Sequence, residues 1–371
     1  MTETITKPAL IDGSRLITEA CVQAGASVFV GYPITPANLL YSYANRRYQV
    51  MMAAPDEITT LQWMSGYAAL GKIPVTATSF PGYALMVESI NMAQMMELPM
   101  VIILVQRLGP ATGTATAGAN GDLNVIHGTI SGGFQLPTFC ISNFDDCWRL
   151  SAKAVHTAAR LRTPVVLLTS KEMVMTQMSY DLSRLEDIEK VEIKGFEGEN
   201  YLPYQANGSH VPAFLPVNQK LHQVRLTAST HNKAGILQNT TPEALDNTRR
   251  LKTKVDTGTE VVFDYDKQEG ADALVIAFDI TAQAAREAIV RMREKGTKAA
   301  LLVLKTLFPI PEKYVQLASG YGKVVVAEEN LDGQYRRLLF GPYHDHRIKG
   351  VNVMGRMVKP EEIMEAVESN G

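Results

Sequence analysis

The feature that most constrains this chain is the run Met100-Val101-Ile102-Ile103-Leu104-Val105, six apolar residues with no polar alternation. Side chains along a strand alternate between two faces, so a wholly apolar strand belongs where both faces are covered. Pro164-Val165-Val166-Leu167-Leu168-Thr169 repeats the pattern. Pro74 to Thr78 and Ser27 to Val30 add two shorter runs bounded by turn residues. Helical periods lie between them. Residues 13–26 carry Leu16, Ile17, Ala20, Cys21 and Ala24 on one stripe, and residues 37–47, the stretch after Asp56, 83–96 and 145–160 follow. Such alternation predicts a doubly wound parallel α/β domain over residues 1–190.

From Tyr201 to about Gly270 the character changes to prolines, asparagines and polar clusters. Only Arg225 to Ser229 reads as a strand there, followed by a turn at His231 to Gly235. So long a segment without periodicity is unusual inside one compact domain, which makes residues 191–269 a connector. Order resumes with Leu274 to Phe278 as a strand, residues 281–295 as a helix capped by Gly296, and strands at Ala299–Leu304 and Lys323–Ala327. Thr306 to Pro311 falls between the last two. Residues 270–371 therefore form a second, smaller α/β domain.

Composition narrows the function classes. A net charge of −2 gives no reason to expect a nucleic-acid partner. The three cysteines, Cys21, Cys140 and Cys147, have no CxxC spacing, so they form neither a disulfide framework nor a cluster or zinc site. Among the histidines, His127 and His156 sit in apolar or helical contexts and read as structural; no metal site is expected. The N-terminus lacks the apolar region of a signal peptide, and no run approaches membrane-spanning length, so the expected setting is the cytoplasm, with no membrane contact.

Polar residues at strand ends carry the chemistry. Gly31-Tyr32-Pro33-Ile34-Thr35-Pro36 follows the first strand, and its two prolines stiffen the loop that holds Thr35. Ser79 ends the second strand, in Ser79-Phe80-Pro81-Gly82, and Arg107 ends the third. Carboxyl ends of parallel strands converge along one edge, where ligands bind. Two readings stand for Glu57, which opens a helix: with Asp56 it is a helix cap, or its carboxylate faces a ring nitrogen of a cofactor. Arg107 is either solvated or a carboxylate clamp. The run Leu108 to Asp122 holds four glycines but lacks the spacings of a phosphate loop.

Taken in order, GYPITPAN, PDEI, TATSFPGYALMVESINMA, VQRLGPATG and GDL resemble the α subunits of 2-oxoacid:ferredoxin oxidoreductases. ALLVLKTLFPIPEKYV and VVVAEEN resemble that family's transketolase C-terminal-like domain. The likeness spans nearly the whole chain and is nearest to the 2-oxoglutarate and branched-chain types with separate subunits. It implies a thiamine diphosphate-binding domain of the pyrimidine type, and oxidative decarboxylation of a 2-oxoacid, 2-oxoglutarate favoured, to an acyl-CoA with electrons passed to ferredoxin. By the same resemblance Glu57 holds the aminopyrimidine ring, while Pro33, Ser79, Pro81 and Gly82 border the cofactor. Thr35 and Arg107 meet the substrate, and Phe80 and Leu108, where relatives often carry glycine, add bulk to its pocket beside Trp63.

The magnesium-diphosphate motif is missing from the chain, as is any cysteine set for clusters. The resemblance therefore implies a β subunit supplying Mg2+, diphosphate binding and a [4Fe-4S] cluster. It further implies a γ subunit, a ferredoxin-type subunit, coenzyme A as co-substrate and a dimer of heteromers. Two alternatives remain at this stage: a transketolase-like or dehydrogenase E1 β-type chain, and a non-catalytic scaffold that keeps the fold.

Overall fold

The computed structural model describes residues 7–110, 114–343 and 345–369. Six parallel strands form the first sheet, in the spatial order Thr138–Cys140, Pro164–Ser170, Met100–Gln106, Pro74–Thr78, Val28–Gly31 and Val50–Ala53. Met100–Gln106 and Pro164–Ser170 pair residue for residue, from Met100 beside Pro164 to Gln106 beside Ser170. Their alternation is buried on both sides, as the apolar runs require. Ile102, Leu104, Val166 and Leu168 face one core with the helices Glu57–Ala69 and Phe80–Met95. Val101, Ile103, Val105, Val165 and Leu167 face another with Gly13–Gln23 and Phe144–Leu161.

The second sheet runs Ile348–Asn352, Lys323–Glu328, Ala273–Ala277, Ala299–Leu304 and Phe263–Asp266, the last antiparallel to its neighbour. Its Leu274, Ile276, Leu302 and Val326 belong to the same buried cluster as Ile102 and Leu104 of the first sheet. Apolar burial thus continues across the junction and holds the two sheets as one body.

Several expectations need correction. Thr306–Phe308 is not a link within the second sheet; it crosses to the first and pairs antiparallel with Thr138–Cys140. Pro8–Asp12 and Gln177–Asp181 form a two-stranded sheet, and Val50–Ala53 is a further strand, none of them marked by periodicity. No strand forms at Arg225–Ser229, although a turn does close after it, where Gly235 N–H donates to the Asn232 carbonyl at 2.9 Å. The segment 191–269 is also less irregular than expected. It contains the helix Pro242–Gly258, whose first turn is capped by Thr241, and the edge strand Phe263–Asp266.

That helix escaped the sequence pattern for a physical reason. Its buried stripe of Ala244, Leu251 and Val255 is interrupted by Asn247 and Lys254, which are buried too. Lys254 Nζ donates to Glu97 Oε2 at 2.6 Å and to the Arg162 carbonyl at 3.1 Å. Arg250 reaches the same carboxylate with both terminal nitrogens and also donates to the His210 carbonyl at 2.6 Å. A periodicity search counts such a lysine as solvent-facing, whereas its partner is a buried acid.

Candidate functional site

Of the adjacent acids Asp56 and Glu57, only one is spent on the helix end. Asp56 is the helix cap: its Oδ1 accepts from the Thr59 N–H at 2.6 Å. Glu57 is buried in the first helical turn, and among the described residues no group hydrogen-bonds its carboxylate. It lies against Gly82, where a Cβ would meet Thr78 Oγ1 and come within 2.6 Å of Glu57 Oε1 and 2.7 Å of its Cγ. Only glycine allows the helix Phe80–Met95 to approach this carboxylate so closely.

Ser79 sits at the N-cap of that helix, the position from which a serine usually accepts a backbone N–H. Here it makes no capping bond, and its fully buried Oγ has no partner. Thr76 Oγ1, on the preceding strand, is likewise buried and unpartnered. A buried polar atom left unmatched costs on the order of 1–3 kcal/mol, and Thr76 and Ser79 both stand unmatched on the strand-to-helix segment that leads to Gly82.

The other expected residues spread around this point. Arg107 Nη1 donates to the Thr35 carbonyl at 2.6 Å, which ties the end of one strand to the stiff loop after another. The Thr35 hydroxyl, partly exposed, has no intramolecular partner among the described residues. Pro33 is on the exposed tip of its loop, Phe80 and Pro81 are half-buried in the first turn of their helix, and Leu108 is half-buried beyond Arg107. Trp63 is substantially exposed rather than packed inward. The glycine-rich run is closed at its base by the Leu108 N–H donating to the Ala117 carbonyl at 2.8 Å; its residues 111–113 lie outside the described residues.

Sequence reasoning missed four polar residues here. Asp122, at the far end of the glycine-rich run, is buried with Oδ2 unpartnered, and burial pushes its carboxyl up to about 7 against the pull of Arg107. Gln106, Asn120 and Asp279 form a buried network between the two sheets. Asp279 Oδ2 accepts from Gln106 Nε2 at 3.1 Å and from Asn120 Nδ2 at 3.2 Å. Burial raises Asp279 to about 7. A signal for it existed, since Asp279 follows the strand Ala273–Ala277 at its carboxyl end, the rule that singled out Arg107.

The donor set decides which group fits. Among the described residues no three His, Cys, Asp or Glu side chains come together as a metal site. His127 stacks near Phe308 and His156 bonds the Glu189 carbonyl, so both are structural. A buried carboxylate without a cation, a buried hydroxyl and a glycine cradle suit a flat heterocycle that brings its own N–H donors. Thiamine diphosphate offers such a ring. Glu57, Ser79 and Gly82 fit its pyrimidine end.

Comparison with known proteins gives likenesses in family, sequence and fold. The family model described as pyruvate flavodoxin/ferredoxin oxidoreductase, thiamine diphosphate-binding, matches residues 19–250, and that of pyruvate:ferredoxin oxidoreductase core domain II matches residues 271–363. The 2-oxoglutarate synthase subunit KorA of Archaeoglobus fulgidus is 29% identical over 97% of this chain and 98% of its own length. The 2-oxoglutarate oxidoreductase subunit KorA of Mycobacterium tuberculosis is also 29% identical, over 91% of this chain, which spans only 54% of that longer relative. In fold, the chain superposes with a TM-score of 0.90, at 24% identity, on a 2-oxoglutarate:ferredoxin oxidoreductase from Magnetococcus marinus solved with 2-oxoglutarate, coenzyme A and succinyl-CoA bound. The match covers 97% of this chain and 65% of that one.

Proposed function

The chain belongs to the pyruvate flavodoxin/ferredoxin oxidoreductase family through its thiamine diphosphate-binding region, and on that premise we propose that it is the α subunit of a 2-oxoacid:ferredoxin oxidoreductase acting on 2-oxoglutarate. The observation that carries the reading is the buried Glu57, whose carboxylate lies against Gly82 and is hydrogen-bonded by no described residue, with the unpartnered Ser79 hydroxyl at the N-cap of the same helix as Gly82. Names of relatives similar over nearly the full length support the substrate.

Thiamine diphosphate, when bound, supplies the electron sink through which a 2-oxoacid loses CO2. This chain supplies position and charge. Glu57 holds the aminopyrimidine ring by a charge-assisted hydrogen bond, and the absence of a Cβ at Gly82 leaves that carboxylate room. Arg107 and the Thr35 hydroxyl receive the substrate's carboxylate end, with Phe80 and Leu108 narrowing the pocket.

The site is half of one. Tyr32, Ile58, Trp63 and Leu85, on the loop and two helices that surround Glu57, are all exposed. Apolar exposure gathered around one polar site supports burial against a β subunit, which would bring diphosphate binding with Mg2+. The three cysteines are buried and no pair has CxxC spacing, so [4Fe-4S] clusters would sit in that partner and in a ferredoxin-type subunit, with a γ subunit completing a dimer of heteromers. No helix among the described residues is long and apolar enough to cross a membrane, and three free thiols suit a reducing cytoplasm.

The test is the assembled complex under exclusion of oxygen, assayed for coenzyme A-dependent reduction of a low-potential acceptor across a panel of 2-oxoacids. Turnover with 2-oxoglutarate above all others is expected. Preference for another acid would overturn the substrate, and a complex without bound thiamine diphosphate would overturn the reading itself.

A further inference from the structure

We infer that Asp279, contributed by the second sheet, clamps both feet of the glycine-rich loop that leaves the first sheet at Arg107 and returns at Asp122, and is thereby a positioning residue for Arg107. One carboxylate oxygen does the clamping. Asp279 Oδ2 accepts from Gln106, the residue before Arg107, and from Asn120, two residues before Asp122. Gln106 closes the ring, its Oε1 accepting from the Asp122 N–H at 3.3 Å.

The second half of the chain surrounds the returning foot more fully. The Asn120 N–H donates to the Glu329 carbonyl at 2.7 Å, and Asn120 Oδ1 accepts from the Thr281 hydroxyl at 3.2 Å. Asn330 Nδ2 and Gln334 Nε2 donate to the carbonyls of Asn120 and Gly121 at 3.2 and 2.9 Å. All of these groups lie at or just beyond the carboxyl ends of strands in the second sheet.

Asp279 is a costly residue to keep for packing alone. It is fully buried, its hydrogen-bond donors include the neutral groups Gln106, Asn120 and the Ile280 N–H, and its backbone has a φ of +52°, which a non-glycine residue adopts at a cost. Replacing a buried carboxylate by an apolar residue often leaves a fold no less stable. Retained, it fixes the loop whose first residue is the guanidinium beside Thr35. The second sheet thus acts as a brace for the substrate end of the first.

The kinetic part of this inference rests on the proposed role of Arg107; the clamp does not. Both are tested on the assembled complex. In Asp279→Ala, amide exchange within residues 107–122 is expected to rise at least about tenfold, while residues 100–105 stay protected. KM for the 2-oxoacid should rise about tenfold with kcat changed less than about threefold, and thiamine diphosphate affinity should not move. Asp279→Asn, which keeps one acceptor for Gln106 and Asn120, should recover part of both effects.

Unchanged loop exchange in Asp279→Ala overturns the clamp. If that variant does not assemble, Gln106→Leu removes the bond to Asp279 and the bond from the Asp122 N–H without altering a residue of the second half, and unchanged exchange there overturns it equally. Faster exchange with an unaltered KM overturns the positioning role. A wild-type complex inactive on every 2-oxoacid would sink the functional reading, and the exchange result would still decide the clamp.

Discussion

The two ends of the first sheet treat buried charge in opposite ways. At the amino ends, just before Met100 and Pro164, Glu97 is fully buried and held by Lys254 and Arg250, with the Arg162 guanidinium nearby. Burial alone would raise its pKa, but the cations outweigh burial and hold Glu97 at about 2. At the carboxyl ends Glu57 is buried and no described residue hydrogen-bonds its carboxylate, while the Ser79 hydroxyl is unpartnered. One end is complete within the chain and serves the fold. The other has no counter-charge among the described residues, and in the proposed function the cofactor would supply its partner.

Three measurements would break or sharpen that contrast. The largest stability effect is expected for Glu97→Gln, which leaves the buried Lys254 ammonium without its counter-charge. Loss of about 3–5 kcal/mol in urea unfolding is expected, the range for breaking a buried pair from one side. A loss within 1 kcal/mol would show that the cluster is not what fastens the helix Pro242–Gly258.

Glu57→Gln should do the reverse. Removing a carboxylate that no described residue pairs should leave the unfolding midpoint of the isolated chain unchanged or slightly raised. Turnover of the assembled complex should fall by about 10²–10³-fold, as when one preorganised electrostatic contact is lost. Equal stability with full activity would return Glu57 to the role of a helix-end acid and favour the scaffold alternative.

The smallest effect is in the acid limb of stability. The carboxylate of Glu97 is held below its usual value of 4.5, at about 2, so its contribution is complete above pH 4.5 and fades as pH falls toward 2. A pKa unit corresponds to about 1.4 kcal/mol, so wild type should lose roughly 3 kcal/mol across this window that Glu97→Gln does not lose. Parallel acid limbs in the two proteins would place the pH sensitivity elsewhere.

How far the sequence reached depended on the range of the interaction. Apolar runs at Met100 and Pro164 located the buried strands because burial on two faces leaves a mark within six residues. The strand-end rule then proposed Thr35, Ser79 and Arg107, and of the two readings open for Glu57 the family resemblance favoured the cofactor one. The same rule, applied to the second sheet, would have reached Asp279. It was passed over because nothing local to residues 271–280 says which partner its carboxylate meets.

By itself, then, the sequence determined the α/β fold class, the buried strands and the family the chain belongs to, and it proposed an edge for the chemistry. Tertiary structure decided which acid caps and which is kept free, since Asp56 spends its carboxylate on Thr59 while Glu57 lies under Gly82. It alone sent Thr306–Phe308 into the first sheet and set Lys254 against Glu97, 157 positions apart along the chain. Periodicity and propensity are short-range signals. Whether a buried charge is neutralised depends on what the fold brings to it from far away in sequence.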